Sequence, residues 1–337
     1  MNKIENLSVE LVTRVESILS EWSPYISHQN IYNFNEWLAD ENINNILKLM
    51  IDAYLKSISS FIPNLLYTVG NGNNMLVSGL LCFFGQIILY MCQNKKLNKE
   101  VIDKCRDFTL LYLYVDYYLD TKEIDKCKLK KMKEMIFDPF MDNIPDMEDM
   151  VSAYRRILNN NTDECKIKMI EVFLTEVEGM SYQKNPNLTS EHYLDIAERK
   201  GGTTSLAINS MFTEDTNKYS DVVYIIGSII QLLDDMMDVS LDMKQGIHTI
   251  ATHELSKYGN MDRLWCYTVL KIDTITPPFI IFKFLMCEIL TYILGHRHEH
   301  FTYKLKRRFR NNIHIRHPCI MSLMSKIISS TIKPKHL

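Results

Sequence analysis

The sequence contains little glycine and proline, with 11 and 9 of these residues among 337. Long stretches lack both, which favours helices over strands joined by tight turns. No C-x-x-C pair occurs, and the eight cysteines are spread along the chain. Most of them lie in apolar segments, where a free thiol behaves as a small hydrophobe. A reduced cytoplasmic protein is therefore expected rather than a disulfide framework.

An excess of one charge is also missing, because 38 basic residues face 41 acidic ones, for a net charge of −3. This balance argues against nucleic acid as a partner, and the basic segment KLKRRFR at 304–310 does not change that expectation. No basic and then apolar leader opens the chain. The most apolar segment, 75–91, includes Gln86 and is slightly short for a membrane span. We therefore predict a buried core helix there and no membrane span.

Apolar residues recur at helical spacing along most of the chain, and hydrophobic residues make up 46% of it. No internal repeat and no low-complexity linker separates one part from another. The sequence predicts an all-α fold of about ten or more helices in a single domain, 1–337. A helix break is expected at Gly201-Gly202.

A ladder of carboxylates lies in the segment 224–250, which reads YIIGSIIQLLDDMMDVSLDMKQGIHTI. Asp234, Asp238 and Asp242 follow an apolar run and stack on one face of a helix, about 12 Å from end to end. Like charges at this spacing repel and weaken a helix. Carboxylate oxygens suit a hard cation such as Mg²⁺, which also keeps waters and binds phosphate oxygens. The ladder favours a metal site for a phosphorylated ligand over a solvated acidic face.

A second acidic pair, Asp116 and Asp120, ends another apolar and aromatic run, RDFTLLYLYVDYYLD. These two residues are also one helical turn apart. A simple polar helix end would look similar. Together with the ladder, the pair predicts a cavity with a metal cluster at its mouth, the two helices facing each other across it.

The two motifs resemble those of the class I terpene synthases, which share their fold with the trans-isoprenyl diphosphate synthases. DYYLD at 116–120 resembles the first motif, D-D-x-x-D, with Tyr117 at its second place. DDMMDVSLD at 234–242 resembles the second, N/D-D-x-x-S/T-x-x-x-E, and Gly246 falls where that family has a glycine. The resemblance implies a helical bundle around a central apolar cavity. It also implies three Mg²⁺ ions, replaceable by Mn²⁺, with these ligands: Asp116, Asp120, Asp234, Asp238 and Asp242.

The resemblance further implies cations for the diphosphate and an apolar lining for the hydrocarbon. The candidate diphosphate-binding residues are Arg199, Lys200, Lys244, Arg307 and Arg308. The candidate cavity residues, one to three turns before the carboxylates, are Tyr112, Leu113, Tyr224, Gly227 and Gln231. Lys200 precedes Asp234 by 34 residues, fewer than usual between the family's diphosphate-sensing cation and this motif.

The activity implied by the resemblance is ionisation of an allylic prenyl diphosphate, with farnesyl diphosphate as the expected substrate. Metal ions would neutralise the leaving diphosphate, and aromatic faces would stabilise the cation during cyclisation. The expected product is a sesquiterpene or a sesquiterpene alcohol. The oligomeric state stays open, and a homodimer is compatible with the sequence.

Two other functions remain. QLLDDMMD also resembles the Q-x-x-D-D-x-x-D of prenyl diphosphate synthases, which elongate chains with isopentenyl diphosphate. Their G-G-K-x-x-R-P segment and paired arginines correspond here to VGNGNNML and TKEIDKCKL, which contain no arginine. This deficit favours cyclisation of one diphosphate over condensation of two. A non-catalytic subunit of the same fold is the third alternative. HRHEH at 296–300 is interpreted as a solvated loop rather than a metal site.

Overall fold

The computed structural model describes residues 72–93, 95, 98–120, 126–138, 148–213, 215 and 217–310. Within these residues the fold is all-α, as predicted, and no strand occurs among them. Apolar residues at helical spacing also predict helices at 1–22 and in the segment closed by Pro63, and both lie outside the described residues. The finer expectation of a terpene synthase-like bundle stays a prediction.

Eleven α-helices and one short 3₁₀ helix are described. The α-helices are α1 Gly72–Cys92, α2 Lys99–Asp120, α3 Lys126–Phe137, α4 Glu148–Asn159, α5 Asp163–Gln183, α6 Ser190–Ser210, α7 Ser220–Gln245, α8 Ile250–Tyr258, α9 Asp262–Asp273, α10 Ile280–His296 and α11 Tyr303–Arg310. The 3₁₀ helix, His298–His300, lies between α10 and α11.

The contacts within the chain cluster into two compact units. In its described part, the first unit holds residues up to Ser181 together with Gly202–Gly227, and the second holds Tyr182–Gly201 together with the residues from Ser228 onward. The unit boundaries therefore fall within α5, α6 and α7. The prediction of a single domain stays a prediction.

In the first unit, the apolar helix α1 packs against α2, and α2 packs against α4. The side chain of Gln86, the polar residue of α1, is buried and donates a hydrogen bond to Thr109 Oγ1 at 2.9 Å and another to the Cys105 carbonyl at 3.3 Å. These bonds satisfy its amide nitrogen, whereas its amide oxygen is buried without a hydrogen-bond partner. This half of α1 is thus a core helix, as predicted. No helix in the described part of the chain is both long and apolar enough to cross a membrane.

The pairing of α2 with α4 includes a buried carboxylate. Asp107 is 4% exposed and accepts two hydrogen bonds from Arg156, at 2.8 Å and 2.9 Å. Arg106 donates to the same carboxylate from the neighbouring position. Two guanidinium groups on one carboxylate satisfy its oxygens and fix the register of α4 against α2.

In the second unit, α9 packs against α8 and α10. Trp265 of α9 is fully buried, and its indole N–H donates to the Leu290 carbonyl of α10 at 3.1 Å. The start of α8 is capped by Thr249, which forms a capping box with Thr252. These contacts build the core formed by α8, α9 and α10.

Two helix boundaries differ from the sequence prediction. The break expected at Gly201-Gly202 was wrong, because α6 continues through both glycines from Ser190 to Ser210. Glycine costs a helix only about 1 kcal/mol, which packing offsets. The apolar pattern near 252–273 also predicts a helix, and the structure has two there, divided at Gly259, whose φ of 71° is the left-handed conformation of a helix C-cap.

Candidate functional site

The carboxylate ladder lies on α7, a helix of 26 residues. The helix ends at Gly246, whose φ of 70° lets the chain reverse so that the Ile247 N–H donates to the Asp242 carbonyl at 2.9 Å. The glycine found in the motif therefore has a structural reason, since it terminates the helix directly after the ladder. The three predicted carboxylates occupy its last three turns.

The ladder residues differ in exposure. Asp234 and Asp238 are exposed and Asp242 is half-buried, as expected for groups open to a ligand. Asp235, which the sequence did not single out, is only 6% exposed. On a helix of 3.6 residues per turn, Asp235 is turned about 100° from Asp234 and about 60° from Asp238, at the edge of the ladder face.

Asp235 is a buried carboxylate held by its own helix. It accepts a hydrogen bond from the Gln231 side chain at 2.9 Å. Burial raises the pKa of Asp235 to about 6, although the Gln231 bond and the charge of Lys200 both act to lower it. The charge of Lys200, a predicted diphosphate-binding residue, therefore acts on Asp235.

The contacts of Glu198 fix the part of α6 that carries Lys200 to the neighbouring helices. Glu198, two residues earlier, forms an ion pair with Lys271 at 2.5 Å. Its carboxylate also accepts a hydrogen bond from the Tyr267 hydroxyl. Its backbone carbonyl accepts a hydrogen bond from Ser228 of α7 at 2.9 Å. These contacts tie α6 to α7 and α9 immediately before Lys200.

Asp238 has a second cation in its surroundings. Although its side chain is exposed, partial burial raises its pKa, and the charge of Arg297 opposes that shift. Sequence reasoning missed Arg297, because it lies in the HRHEH segment interpreted as a solvated loop. His298 and Glu299 are indeed exposed, but Arg297 and His300 are half-buried. The alternating histidines of HRHEH are the signal in the sequence that could have drawn attention to this segment.

The other predicted diphosphate-binding residues are Arg199, Lys244, Arg307 and Arg308. Arg199 forms an ion pair with Asp195 on its own helix at 2.9 Å. Lys244 and Arg307 are exposed. The side chain of Arg308 lies outside the described residues. Whether any of them binds a diphosphate stays a prediction.

The ladder residues fit Mg²⁺ by the chemistry of their donors. Two exposed carboxylates one turn apart supply hard oxygen ligands from one side. Among the described residues, no group of three His, Cys, Asp or Glu side chains is arranged to hold a metal ion by itself. Mg²⁺ does not require such a cage, because it usually takes one or two carboxylates together with water and phosphate oxygens.

The first acidic pair is described only in its backbone. Helix α2 extends through Asp116 and Asp120, as predicted. Their side chains lie outside the described residues, as does the following segment, 121–125. That these two residues bind metal, and that their helix faces the ladder across a cavity, stays a prediction.

An apolar cleft lies in the first unit, between α2, α3 and α5. Its empty space is about 460 Å³, including the part open to solvent. Tyr112 lines it, whereas Leu113 is buried in the core. The lining residues are Phe108, Leu111, Tyr112, Val115, Ile136, Met169, Val172, Phe173 and Glu176.

The remaining predicted cavity residues lie on α7. Tyr224 packs its ring against Gly202 of α6, where a Cβ atom would lie 2.3 Å from the ring. Gly227 is buried, and Gln231 is half-buried with its amide bonded to Asp235. Tyr224 and Gln231 therefore have structural partners, and their contact with a substrate stays a prediction.

Comparisons with known proteins add no relative. A scan against protein-family models, a search of curated proteins and a search of solved structures each found no match to this chain.

Proposed function

We propose that this protein is a class I terpene synthase whose ladder on α7 binds a Mg²⁺–diphosphate group. The observation that carries the proposal is the placement of Asp234, Asp238 and Asp242 on one accessible face at the end of an apolar helix. A solvated acidic face is usually interspersed with lysines, but this one has none before Lys244. Four carboxylates, with Asp235 included, concentrate negative charge that a divalent cation would offset.

The chain's own residues would bind and orient the leaving group. Asp234 and Asp238 would hold the metal from the helix face, and Asp242 would do so from the last turn. Lys200, whose charge acts on Asp235, would donate a charge-assisted hydrogen bond to a phosphate oxygen. When bound, Mg²⁺ would neutralise the diphosphate as its bond to the allylic carbon breaks.

The expected substrate is farnesyl diphosphate, and the expected product is a sesquiterpene or a sesquiterpene alcohol. An apolar and aromatic surface is needed to fold such a chain and to exclude water from its cation. The richly apolar helices of this protein are consistent with that requirement. The product skeleton depends on the shape of this surface.

The test is to incubate the protein with farnesyl diphosphate and Mg²⁺ and to analyse both phases of the extract. We expect a cyclic hydrocarbon or alcohol in the organic phase and one diphosphate released per product. EDTA should abolish both, and Mn²⁺ should restore part of the activity. Release of diphosphate that does not depend on a divalent cation would contradict the proposal.

The same incubation distinguishes a terpene synthase from the two alternative functions. A prenyl diphosphate synthase would react only after isopentenyl diphosphate is added, and its product would keep a diphosphate. A non-catalytic subunit of the same fold would give no product with either substrate, although it could still bind them. The specific observation that favours the subunit is Tyr117 at the second place of the first motif.

A further inference from the structure

Positive charge is concentrated in one part of a chain that is slightly acidic as a whole. Residues 297–337 contain ten lysines and arginines, five of them on α11, and a single acidic residue, Glu299. Residues 1–296 contain 28 basic and 40 acidic residues. Salt screens exposed charges over about 10 Å, so a partner in contact with 297–337 responds to the local excess rather than to the net charge of the chain. An asymmetry of this size indicates a segment that binds an anionic surface.

The turn before α11, residues 297–302, is fixed to the neighbouring helices. Arg297 Nε donates a hydrogen bond to the Met237 carbonyl of α7 at 2.9 Å. The Thr302 N–H donates to the Asp262 carboxylate of α9 at 3.0 Å. These contacts give the turn, and the helix that follows it, a defined position on α7 and α9.

Helix α11 presents its cations to solvent. Leu305 is buried and anchors the helix, whereas Lys304 and Arg307 are exposed. Lys306 donates a hydrogen bond to the His298 carbonyl at 2.7 Å, which holds its charge on the same segment. Within the part of the chain that the structure describes, neither Lys304 nor Arg307 forms an ion pair with a carboxylate. Their charge is therefore available to an anionic partner.

Helix α3 is also rich in lysine, but acidic residues balance its charge. Residues 116–138, which include α3, contain six lysines and six acidic residues. On α3 itself, Lys130 forms an ion pair with Glu134 one turn later, at 3.7 Å. Helix α3 is therefore a suitable comparison for α11, because it carries similar cations without the local excess of positive charge.

Exposed apolar side chains accompany the cations of α11. Tyr303, the first residue of the helix, is 72% exposed. Tyrosine suits the boundary between lipid and water, because its ring is apolar and its hydroxyl is polar. A second exposed apolar side chain, Met243, lies one turn after Ser240 of α7, which shares a hydrogen bond with His300 of the turn at 2.9 Å. Cations bordered by exposed apolar side chains are typical of a segment that lies in the headgroup region of a membrane.

We propose that α11 and the turn before it bind the surface of a membrane that contains anionic lipids. Lys304 and Arg307 would contact the headgroups, and Tyr303 and Met243 would enter the boundary between headgroups and acyl chains. Double-stranded nucleic acid would match the cations as well, but its phosphate backbone gives no role to the exposed apolar side chains. The proposal does not depend on the function proposed above.

The experiment measures sedimentation of the full chain with lipid vesicles at low and at high salt. We expect binding to vesicles of phosphatidylcholine with about one third phosphatidylserine, and little or no binding to phosphatidylcholine alone. At about 0.5 M salt most of the protein should be released, because screening weakens the attraction between surface charges.

Three variants test which residues contact the membrane. The double variant Lys304→Gln/Arg307→Gln should lower the partition coefficient by about tenfold or more, because each cation near an anionic surface contributes to the attraction. Tyr303→Ser should lower it by about threefold or more and leave its salt dependence unchanged, since an apolar contact is lost and no charge. The matched control, Lys130→Gln/Lys133→Gln, removes two exposed lysines of α3 and should bind within about twofold of the wild type. All three variants should unfold at the temperature of the wild type, because the replaced side chains are exposed.

Equal binding to vesicles with and without phosphatidylserine, or no binding to either, would overturn the proposal. An equal loss of binding in the α3 and α11 double variants would also overturn it, because removal of any two positive charges would then suffice. Two competitors test other anionic partners, each supplied at the phosphate concentration of the vesicles. Neither double-stranded DNA nor inorganic pyrophosphate should displace the protein. Displacement would show that α11 binds nucleic acid or free diphosphate instead of a membrane.

Discussion

Single carboxylates on α7 differ in their surroundings although they share one face of the helix. Asp234 and Asp238 are exposed, whereas Asp235 is almost fully buried and bonded to Gln231. The sequence predicts the shared face, because four-residue spacing is a property of the helix. It does not predict the burial of Asp235, which depends on tertiary packing, or the approach of Arg297, which lies 60 residues after Met237 in the chain.

Replacement of Asp234 tests the ladder at the scale of one residue. We expect Asp234→Ala to lower Mg²⁺-dependent turnover of farnesyl diphosphate by at least about tenfold, because it removes a hard oxygen ligand. The free energy of unfolding of the metal-free protein should not fall and could rise by about 0.2–0.5 kcal/mol, since one repulsive pair is lost. The matched control is Asp221→Ala, an exposed aspartate in the first turn of α7. Equal turnover in the two variants would mean that the ladder does not bind the metal.

Because of His253, we expect the free energy of unfolding to depend on pH. Burial lowers its pKa below 6.5, and the nearby Lys257 and His248 lower it further. Its Nε2 atom is buried without a hydrogen-bond partner, and its ring lies 5.1 Å from that of Tyr193. The folded state therefore resists protonation, so the unfolded state binds more protons as the pH falls below 6.5.

We expect the free energy of unfolding of the wild type to decrease as the pH falls from 6.5 towards 5, and this part of the decrease to be absent in His253→Phe. Urea unfolding across this range measures it, and the difference between the two proteins should be constant above pH 7. Parallel curves for the two proteins below pH 6.5 would show that His253 does not contribute.

At the scale of elements, the apolar periodicity predicted the helices well, because the spacing that buries one face is local information. The apolar run of α1 and the acidic ends of α2 and α7 were identified correctly as helical. The error at Gly201-Gly202 has a tertiary cause. Glycine is a helix breaker in isolation, but here Gly202 allows the close approach of Tyr224, and that contact is not visible in the local sequence.

Alanine at two helical glycines, Gly202 and Gly85, should have opposite effects on stability, because only Gly202 is packed against a neighbouring helix. Gly202→Ala should lower the free energy of unfolding by about 1–3 kcal/mol, because the new Cβ overlaps the Tyr224 ring. Gly85→Ala on α1 is the control. A Cβ at Gly85 meets nothing within 4 Å, so alanine should raise stability by up to about 1 kcal/mol. Urea denaturation of both variants measures this, and a Gly202→Ala protein as stable as Gly85→Ala would contradict the packing described.

At the scale of the whole molecule, the sequence predicted the all-α class, which the described residues confirm. It could not predict the division of contacts into two compact units, because that depends on which helices pack together rather than on where each begins. The choice between cyclisation and chain elongation also belongs to this scale, since it depends on cations distant from the ladder.

An elongating enzyme must hold isopentenyl diphosphate beside the allylic diphosphate, which requires several arginines or lysines. Residues 69–75 contain neither, and 121–129 contain lysines but no arginine. Lysine binds phosphate only as a point charge, without the paired N–H groups of arginine. We therefore expect added isopentenyl diphosphate to give no longer chain, as judged by chromatography of dephosphorylated products. A linear C20 diphosphate formed only with both substrates would establish the prenyl diphosphate synthase instead.

The most direct test of the account is to locate the metal. Crystals of the protein grown with Mn²⁺ and inorganic pyrophosphate should show anomalous density beside α7, at coordination distance from carboxylate oxygens of Asp234 and Asp238 and bridged to the pyrophosphate. Mn²⁺ is suitable because it favours the same oxygen ligands as Mg²⁺ and is visible at its absorption edge. Anomalous density and pyrophosphate bound away from this helix, with the ladder carboxylates in contact with water alone, would contradict the account.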